Sequence, residues 1–462
     1  MAYYCYILEC ADGSYYTGWT LDPVRREKQH NQGRGAKYTR FHRPVHLVYL
    51  EEQPDHSSAL RRERALKNLS HQQKAALAHA HRQENMNPPS DVQVISPGRV
   101  NLLGEHVDYN DGLVLPVAID KEVSIRARRR DDEKILIRAH DLDEAIEMSL
   151  SSLQEKVDIN GSPLPMWALY PAGVARVLQK HGLKVTGVEA EFRSNLPIGA
   201  GLSSSAAVEV GFAVMWEALG GWSLDRMTTA RYAQEAEVNY VGVNCGLMDQ
   251  FACANGVEGN ALLLDTRSLE WRPVKLPAGA CIVIANSMVK HSLMGSEYNT
   301  RHYECDQAVK ILKKHYPTIR ALRDVSIAQL NLVKDEMPEN VYKRARHIVS
   351  EIERVQQAVI LLDQGDGAKF GELMFATHAS LRDDYEVSCP ELDILVESAA
   401  ALPGILGARL TGAGFGGCTV NLVKEEAVEP FVEGLKKAYQ DKTGIEAAIF
   451  QCQAAAGTHV VD

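Results

Sequence analysis

Three polar segments of the sequence combine residue types that could bind a phosphate and move a proton. Residues 197–206 read PIGAGLSSSA, in which glycines let backbone N–H groups approach an anion and serines supply hydroxyls at a helix start. This chemistry suits a nucleoside triphosphate. The segment is not a P-loop, because GxxxxGK[ST] is absent, nor a dinucleotide fingerprint, because the third glycine is missing. Taken alone, it also fits a capped helix after a tight turn.

The other two segments carry the acidic side chains. Residues 97–112, PGRVNLLGEHVDYNDG, crowd hydrogen-bonding groups between glycines, which suits recognition of a polyhydroxylated ligand. The alternative is a solvated loop whose Asx side chains close local turns.

In residues 231–256, Asp249 follows a Gly turn among apolar neighbours. It could be a helix N-terminal charge, or a partly buried carboxylate tuned as a catalytic base.

These segments, in this order, resemble the galactokinase branch of the GHMP small-molecule kinases. The first motif of that family is matched by residues 97–110, the second by 196–206 and the third, LTGAGFGG, by 410–417. CGLMDQ at 245–250 and VKHSL with SEYN at 289–299 complete the pattern. Five ordered matches over roughly 320 residues exclude coincidence, which one short motif could not do.

The resemblance implies transfer of the γ-phosphoryl group of ATP to the C1 hydroxyl of α-D-galactose, giving galactose 1-phosphate and ADP. It implies that Asp249 takes the hydroxyl proton and that Arg99 stabilises this carboxylate and the developing phosphate charge. Phosphoryl transfer depends mostly on such positioning and charge neutralisation. Ser205 and Glu237 would be the Mg²⁺ ligands, since a hard cation prefers oxygen donors.

The same resemblance implies two binding sets. The sugar hydroxyls would be bound by Glu105, His106, Asp108 and Tyr298. The ATP phosphates would lie in a cradle made by Gly199, Ala200, Gly201, Leu202, Ser203, Ser204 and Ser205, against which residues 412–417 would pack their backbone.

Two alternatives stay open. A kinase of the same superfamily could act on N-acetylgalactosamine or arabinose, although the turn at residues 108–112 favours galactose. A nucleic-acid-binding regulator could keep a kinase fold as a galactose sensor. Such a sensor would not need the complete set of Arg99, Ser205, Glu237 and Asp249.

The elements that position these residues begin only after a smaller N-terminal unit. Its pattern predicts two strands around the turn Asp12-Gly13, a helix capped by Asp22, a third strand and a helix capped by Ser57 or Ser58. CYI at 5–7 and YTG at 16–18 resemble the motifs of the GIY-YIG nuclease superfamily. That likeness implies a phosphate-binding Arg26, a Mg²⁺ ligand Glu63, and an attacking water positioned or deprotonated by Tyr6, Tyr16 or His30.

Charge separates the two parts of the chain. Overall, 50 Lys and Arg against 60 Asp and Glu give a net charge of −10, which argues against a uniformly nucleic-acid-binding surface. Residues 1–85 hold thirteen basic and nine acidic residues, a net of +4, whereas residues 86–462 hold thirty-seven and fifty-one, a net of −14. We therefore expect the two parts to have different partners. The two family resemblances imply that these partners are DNA for residues 1–82 and galactose for the rest.

The predicted fold class is α+β. A GIY-YIG α/β domain (1–82) and a linker (83–91, where two prolines follow a polar run) precede the kinase. By resemblance, the kinase has an N-lobe like domain 2 of ribosomal protein S5 (92–275) and a ferredoxin-like C-lobe (276–462). Nine scattered cysteines without CxxC, no signal peptide and no long apolar stretch predict a cytoplasmic protein without membrane contact. The sequence does not determine the oligomeric state, for which a monomer is the expectation.

Overall fold

The computed structural model describes residues 3–86, 91–197, 200–290 and 294–461. The chain divides into two compact units, one made of Met1–Pro89 with Gly220–Trp222 and the other of Ser90–Leu219 with Ser223–Asp462. Both units mix helices and strands, so the predicted α+β class is confirmed. The further division of the second unit at residue 275 stays a prediction. None of the helices in the described ranges has the length and apolar character needed to span a bilayer.

The first unit is a three-stranded antiparallel sheet with strand order β2-β1-β3 and helices on both faces. Cys5 and Ile7 of β1 pack on side chains of α2 and α3, while Tyr6 and Leu8 point to the opposite face, as the period of two in a strand requires. The elements are β1 (Tyr3–Cys10), β2 (Tyr15–Thr20), α1 (Pro23–Asn31), β3 (Val45–Gln53), α2 (His56–Lys67) and α3 (His71–Met86).

Two helix boundaries show where local chemistry decided the fold. Helix α1 begins as predicted, with the Asp22 carboxylate accepting from the Arg25 N–H at 2.8 Å. Helix α2 is capped by Asp55, which accepts from Ser58 N at 2.7 Å, so the predicted caps Ser57 and Ser58 are wrong. An Asp placed before those serines caps equally well and therefore starts the helix earlier. Helix α3 continues to Met86 and takes in the first residues of the predicted linker.

The second unit begins with strand β4 at Asp91. Its strands are β4 (Asp91–Asn101), β5 (Leu113–Val114), β6 (Pro116–Arg130), β7 (Lys134–Ala139), β8 (Glu144–Ser149), β9 (Gly187–Ser194), β10 (Asn260–Asp265), β11 (Trp271–Lys275), β12 (Ala280–Lys290), β13 (Ile405–Thr411), β14 (Gly416–Lys424), β15 (Ala448–Cys452) and β16 (His459–Val461). Its helices are α4 (Met166–Lys180), α5 (Ser204–Gly220), α6 (Arg226–Ala236), α7 (Met248–Asn255), α8 (Met294–His315), α9 (Ile327–Leu332), α10 (Glu339–Asp363), α11 (Gly367–Ser380), α12 (Pro390–Ala400) and α13 (Val428–Thr443).

Three sheets organise this unit. A six-stranded sheet has the order β16-β4-β6-β9-β7-β8, with β7 parallel to β9 and the other neighbours antiparallel. A four-stranded antiparallel sheet has the order β13-β14-β12-β15, and a smaller one the order β11-β10-β5. The last strand, β16, pairs with β4, so the end of the chain borders the strand that carries Arg99.

Candidate active sites

The centre of the candidate site in the second unit is an ion pair between β4 and the first turn of α7. The Arg99 guanidinium donates from Nε to Asp249 Oδ1 at 2.8 Å and from Nη2 to Oδ2 at 2.7 Å. The Ser203 hydroxyl donates a further bond to Oδ2. Arg99 is buried, whereas the Asp249 side chain is 29% exposed. A bidentate, charge-assisted pair fixes the carboxylate plane while one side stays open to a ligand.

The predicted phosphate cradle is attached to the same arginine. Arg99 Nη1 donates to the Gly201 carbonyl at 2.6 Å, and the Arg99 backbone N–H donates to Leu202 O at 3.1 Å. Ser203 has a left-handed φ of 58°, which turns the chain into α5 at Ser204. Of the predicted cradle, Ala200, Gly201 and the following residues are described, whereas Gly199 lies outside the described residues.

The third glycine-rich motif lies against this loop, as the sequence predicted. A Cβ added to Gly412 would stand 3.0 Å from Gly201 O, and one added to Gly417 would stand 3.1 Å from Ala200 O. Both glycines have positive φ, 86° and 82°. Because side chains there would meet backbone rather than a movable side chain, the two loops can approach this closely only with glycine.

The two predicted metal ligands are adjacent. Glu237 opens a π-helical turn, Glu237–Val241, directly after α6, and its carboxyl group lies beside the Ser205 side chain. Two further donors reach its Oε2, the Cys245 thiol at 3.3 Å and Gln250 Nε2 at 2.5 Å. Burial, followed by the charge of Asp249, raises the pKa of Glu237. In the described part of the chain, no three His, Cys, Asp or Glu side chains cluster as metal ligands.

Two buried residues of this region are absent from the sequence prediction. Gln250 Nε2 also donates to Glu209 Oε2 at 3.0 Å, and both side chains are fully buried. Burial raises the pKa of Glu209 well above its ordinary value. Among the described residues, Oε1 of each has no hydrogen-bond partner. The available signal was an acidic residue one turn after Ser205, between the apolar residues Val208 and Val210 of the helix.

Asp108, a predicted sugar ligand, lies against the loop that precedes α7. A Cβ added to Gly246 would stand 1.8 Å from Asp108 Oδ2, so the carboxylate occupies space that only a glycine leaves free. Burial, with the nearby charges of Asp249 and Glu105, raises the pKa of Asp108 to about 7. Burial, followed by the charge of Asp108, raises the pKa of Tyr298 well above its usual range. The predicted sugar ligands Asp108 and Tyr298 are therefore brought near the Asp249 carboxylate.

The predicted sugar ligand Glu105 already has strong protein partners. Its Oε2 forms an ion pair with Arg409, a fully buried residue of β13, and accepts from the Gly412 N–H at 3.2 Å. Arg409 is a residue that sequence reasoning missed. Its position between apolar residues of a strand resembles a core position, so only its charge could have drawn attention to it. The carboxylate thereby ties the first motif to the third.

His106 is held in a directional hydrogen-bond chain. Its Nε2 lies 3.2 Å from Ala413 O, which can only accept, so Nε2 carries the proton. Nδ1 therefore accepts from the Tyr109 hydroxyl at 3.0 Å, and Tyr109 in turn accepts from Tyr385 at 2.6 Å. Burial lowers the pKa of His106 to about 3, so the ring is neutral at physiological pH.

In the N-terminal unit, four of the five predicted nuclease residues meet on one face of the sheet. The Tyr6 hydroxyl lies 3.0 Å from His30 Nε2 and accepts from Arg26 Nε at 3.3 Å. The Tyr16 ring centroid lies 5.1 Å from that of His30. Gly18, the glycine of the YTG motif, permits this packing, because a Cβ there would stand 2.6 Å from the Tyr6 hydroxyl.

Thr39, another residue missed from sequence, decides which nitrogen of His30 carries the proton. Its hydroxyl proton goes to Ala36 O at 3.0 Å, so its oxygen accepts from His30 Nδ1 at 2.6 Å. Nε2 is then free of a proton and accepts from Tyr6. Burial, followed by the charge of Arg26, lowers the pKa of His30 to about 4. The neutral imidazole therefore faces the Tyr6 phenol as a base.

The fifth predicted nuclease residue, Glu63, lies on α2 and has a different partner. Its carboxylate pairs with Lys67 at 2.8 Å, one turn along the same helix, and its side chain is 17% exposed. The negative charge of the Glu63 carboxylate nevertheless affects the pKa of the Tyr6 phenol. Burial is the main cause that raises the pKa of Tyr6 to about 12, and Glu63 adds to it.

Family comparisons match stretches of both units. The GIY-YIG catalytic domain matches residues 2–76, the galactokinase galactose-binding signature 79–129, the GHMP kinases N terminal domain 170–257 and the GHMP kinases C terminal domain 358–441. The chain is 46% identical over 366 residues to a galactokinase of Roseiflexus sp. (strain RS-1), covering 79% of the chain and 92% of the relative. It is 42% identical over 375 residues to a galactokinase of Chloroflexus aurantiacus (strain ATCC 29366 / DSM 635 / J-10-fl), covering 81% and 94%.

Among solved structures, that of Lactococcus lactis galactokinase complexed with galactose aligns with a TM-score of 0.76 and 33% identity, covering 83% of the chain and 99% of that structure. In the basic N-terminal unit, the GIY-YIG catalytic domain matches residues 2–76. The resemblance inferred from the motifs is thus confirmed over both units. The chain belongs to the galactokinase family of GHMP sugar kinases and carries a GIY-YIG domain at its N-terminal end.

Proposed function

We propose that this kinase transfers the γ-phosphoryl group of ATP to the C1 hydroxyl of α-D-galactose, with Asp249 accepting the hydroxyl proton. The observation that carries this assignment is the carboxylate geometry. Arg99 and Ser203 donate three bonds to Asp249 while its side chain stays 29% exposed. A proton acceptor fixed in orientation and open on one side is what general base catalysis needs.

Arg99 has a second task in this proposal. Its remaining nitrogen, Nη1, donates to Gly201 O and so holds the cradle of residues 199–205 next to the base. Its positive charge lies where negative charge builds up on the transferred group, and phosphoryl transfer is accelerated mainly by such charge neutralisation. The N–H groups of the cradle would bind the ATP phosphates at the start of α5.

Ser205 and Glu237 are the proposed protein ligands of magnesium. The Ser205 hydroxyl and the Glu237 carboxylate are adjacent. Among the described residues, Oε1 of the nearby buried Glu209 has no hydrogen-bond partner, and a region with an unpaired oxygen acceptor suits a hard cation. When bound, Mg²⁺ would neutralise phosphate charge. Glu237 keeps its carboxylate in place through Gln250 and Cys245.

We assign sugar recognition to Glu105, His106, Asp108 and Tyr298. Asp108 and Tyr298 lie near the Asp249 carboxylate, and the ion pair of Glu105 with Arg409 keeps the surrounding loop in place. The order β13-β14-β12-β15 supports a ferredoxin-like C-lobe, and the sheet that contains β4, β6 and β9 supports an N-lobe like domain 2 of ribosomal protein S5.

The test is ADP release from Mg-ATP across a panel of sugars that includes galactose, N-acetylgalactosamine and arabinose. We expect turnover with galactose, and a loss of about 10²- to 10⁴-fold in kcat for Asp249→Ala. Galactose binding, measured by isothermal titration calorimetry, should survive that change. ADP release without sugar, or full activity of the variant, would refute the assignment.

For the N-terminal unit, we propose hydrolysis of DNA phosphodiester bonds. The observation that favours it is the chain in which Thr39 orients His30 and His30 faces the Tyr6 phenol, beside Arg26. Arg26 would bind the scissile phosphate, and Tyr6, with Tyr16 nearby, would position the attacking water. The Glu63 carboxylate is partly exposed and would bind one Mg²⁺ through its oxygens, in place of its ion pair with Lys67.

An exposed basic surface supports DNA as the partner of this unit. Phe41 is 81% exposed within it and could stack on a base. The exposed cations are Arg25, Lys28, Arg34, Lys37, Arg40 and Arg43. Nicking of supercoiled DNA by the full chain should be lost in both Glu63→Ala and Arg26→Ala. Nicking that persists in both would reveal a contaminant, and absence of DNA binding even at low salt would refute the proposal.

A further inference from the structure

We infer that Gln250 is a positioning residue for the magnesium site, because its amide holds the Glu237 carboxylate in the orientation that binds the metal. This inference rests on the proposed roles of Glu237 and Asp249. It concerns a side chain that lies directly beside the proposed base in the sequence yet points to other partners.

The contacts define the task of Gln250 closely. Its Nε2 donates at 2.5 Å to Glu237 Oε2 and at 3.0 Å to Glu209 Oε2. An amide nitrogen has two N–H bonds, so both are used on carboxylates. The amide orientation is also settled by these partners, since an oxygen in the place of Nε2 would face two acceptors. Gln250 and Glu209 are fully buried and Glu237 is 6% exposed.

Glu209 anchors the Gln250 amide to helix α5 through its hydrogen bond. It lies on α5, one helical turn after Ser205, so its carboxylate moves with the helix that carries the other proposed metal ligand. Gln250 lies on α7 and Glu237 on the π-helical turn. One amide therefore spans three elements and fixes the distance between the two proposed ligands, Ser205 and Glu237.

Removing the amide would leave two buried carboxylate groups facing each other without a shared donor. Glu237 would then be expected to turn away from Glu209 and to lose its fixed position beside Ser205. Partners that orient a metal ligand without touching the metal commonly change affinity or activity 10- to 100-fold. We expect an effect of about this size on metal binding, with little effect on galactose binding.

The test uses the full chain and compares Gln250→Met with the matched variant Gln179→Met. Both changes remove an amide of the same shape, but Gln179, on α4, donates its side-chain N–H to the backbone carbonyl of Leu150 rather than to a carboxylate. Mn²⁺ binding in the presence of ADP and galactose is measured by electron paramagnetic resonance. The Mg²⁺ dependence of kcat and of the KM for galactose is measured separately, with thermal unfolding as the control for folding.

We expect Gln250→Met to weaken Mn²⁺ binding about 10- to 100-fold, with partial recovery of kcat at high Mg²⁺ and an unchanged KM for galactose. Gln179→Met should resemble the parent protein. Glu209→Gln, which keeps an acceptor oxygen for Gln250, should retain most of the Mn²⁺ affinity. If Gln250→Met does not fold, Gln250→Asn replaces it, since an amide one methylene shorter cannot reach both carboxylates and should also weaken Mn²⁺ binding.

A further variant, Glu237→Ala, separates this inference from the assignment on which it rests. Unchanged Mn²⁺ affinity in Glu237→Ala would overturn the proposed metal ligand itself. Loss of affinity in Glu237→Ala together with unchanged affinity in a folded Gln250 variant would overturn only the positioning role. A Gln250 variant that loses thermal stability but binds Mn²⁺ as the parent does would show that the amide is structural.

Discussion

At the scale of single residues, the proposed kinase site holds two neighbouring carboxyl groups, those of Asp249 and Asp108, which differ in their hydrogen-bond partners. Asp249 is held by a guanidinium and a hydroxyl, whereas Asp108 is half-buried and accepts from one backbone N–H, that of Tyr109, at 3.0 Å. The charge of Asp249 itself makes ionisation of Asp108 harder, after the effect of burial. Neighbouring acids in unlike environments can take different roles, one as base and the other as a binding group.

We predict that kcat/KM for galactose rises with pH through about 7 in the free enzyme. Burial raises the pKa of Asp108 to about 7, so its carboxyl is protonated below that pH and becomes an acceptor for sugar hydroxyls above it. A pH profile of kcat/KM checks this. Asp108→Asn should abolish the rise, whereas Asp111→Asn, a change in the same turn at a side chain paired with Arg267, should keep it. A rise that persists in Asp108→Asn would contradict the assignment.

A second prediction concerns Thr39 in the N-terminal unit. Thr39→Val removes the oxygen that receives the His30 Nδ1 proton, so the ring can no longer be held in the form that accepts from Tyr6. Losing one buried hydrogen bond costs about 1–3 kcal/mol, and we expect DNA nicking to fall roughly tenfold or more. Thr17→Val is the control, because the Thr17 hydroxyl is buried without a hydrogen-bond partner in the described residues. Equal nicking by the two variants would remove Thr39 from the mechanism.

At the scale of elements, the proposed kinase site depends on close approaches made by glycine-containing loops. Gly246 in the loop before α7 and Gly412 after β13 each face a neighbour that a Cβ would strike. The first leaves room for the Asp108 carboxylate and the second lets two glycine-rich loops touch. The helices and strands carry the reacting groups, and these loops set the spacing between them.

We predict that Gly246→Ala raises the KM for galactose more than it lowers kcat. The new methyl group would stand 1.8 Å from Asp108 Oδ2 and must displace that carboxylate, while Asp249 keeps its three donors. Overpacking of this kind costs typically about 1–3 kcal/mol, which corresponds to roughly ten- to a hundredfold in KM. Steady-state kinetics measure the split. Gly242→Ala strains the same loop at a φ of 94° but meets nothing within 4 Å, so it should spare the KM.

The elements also show how far the sequence could predict this protein. The family and the fold class followed from five motifs found in the family's order. The pairing of Arg99 with Asp249 was implied by that family resemblance, and the structure has the two side chains in contact. The Asp55 cap was missed because two serines nearby offered an equally good signal. Glu209 and Arg409 were missed because they lie in apolar segments, where only the tertiary partners Gln250 and Glu105 explain a charge. Such partners are distant in sequence and leave no local pattern.

At the scale of the whole molecule, the two compact units carry net charges of opposite sign, and each contains its own proposed site. We predict that their activities are independent in the intact chain. Asp249→Ala should leave DNA nicking unchanged, and Arg26→Ala should leave galactose-dependent ADP release unchanged, since no proposed site residue of one unit belongs to the other. Both assays on both variants check this. A loss of kinase activity in Arg26→Ala with unaltered thermal unfolding would indicate communication between the units.

The three contacts of Arg99 have a consequence for the way the two substrates bind. One guanidinium touches both the carboxylate proposed for the sugar hydroxyl and the carbonyl of the loop proposed for the nucleotide. Any adjustment of that loop by a nucleotide is therefore transmitted to the carboxylate. We expect bound nucleotide to tighten galactose binding, typically by about 5- to 150-fold for such couplings. Thermodynamic linkage then requires that bound galactose tighten nucleotide binding by the same factor. Calorimetric titrations in both orders measure this factor, and Arg99→Lys, which keeps the charge but not the fork, should bring it close to one.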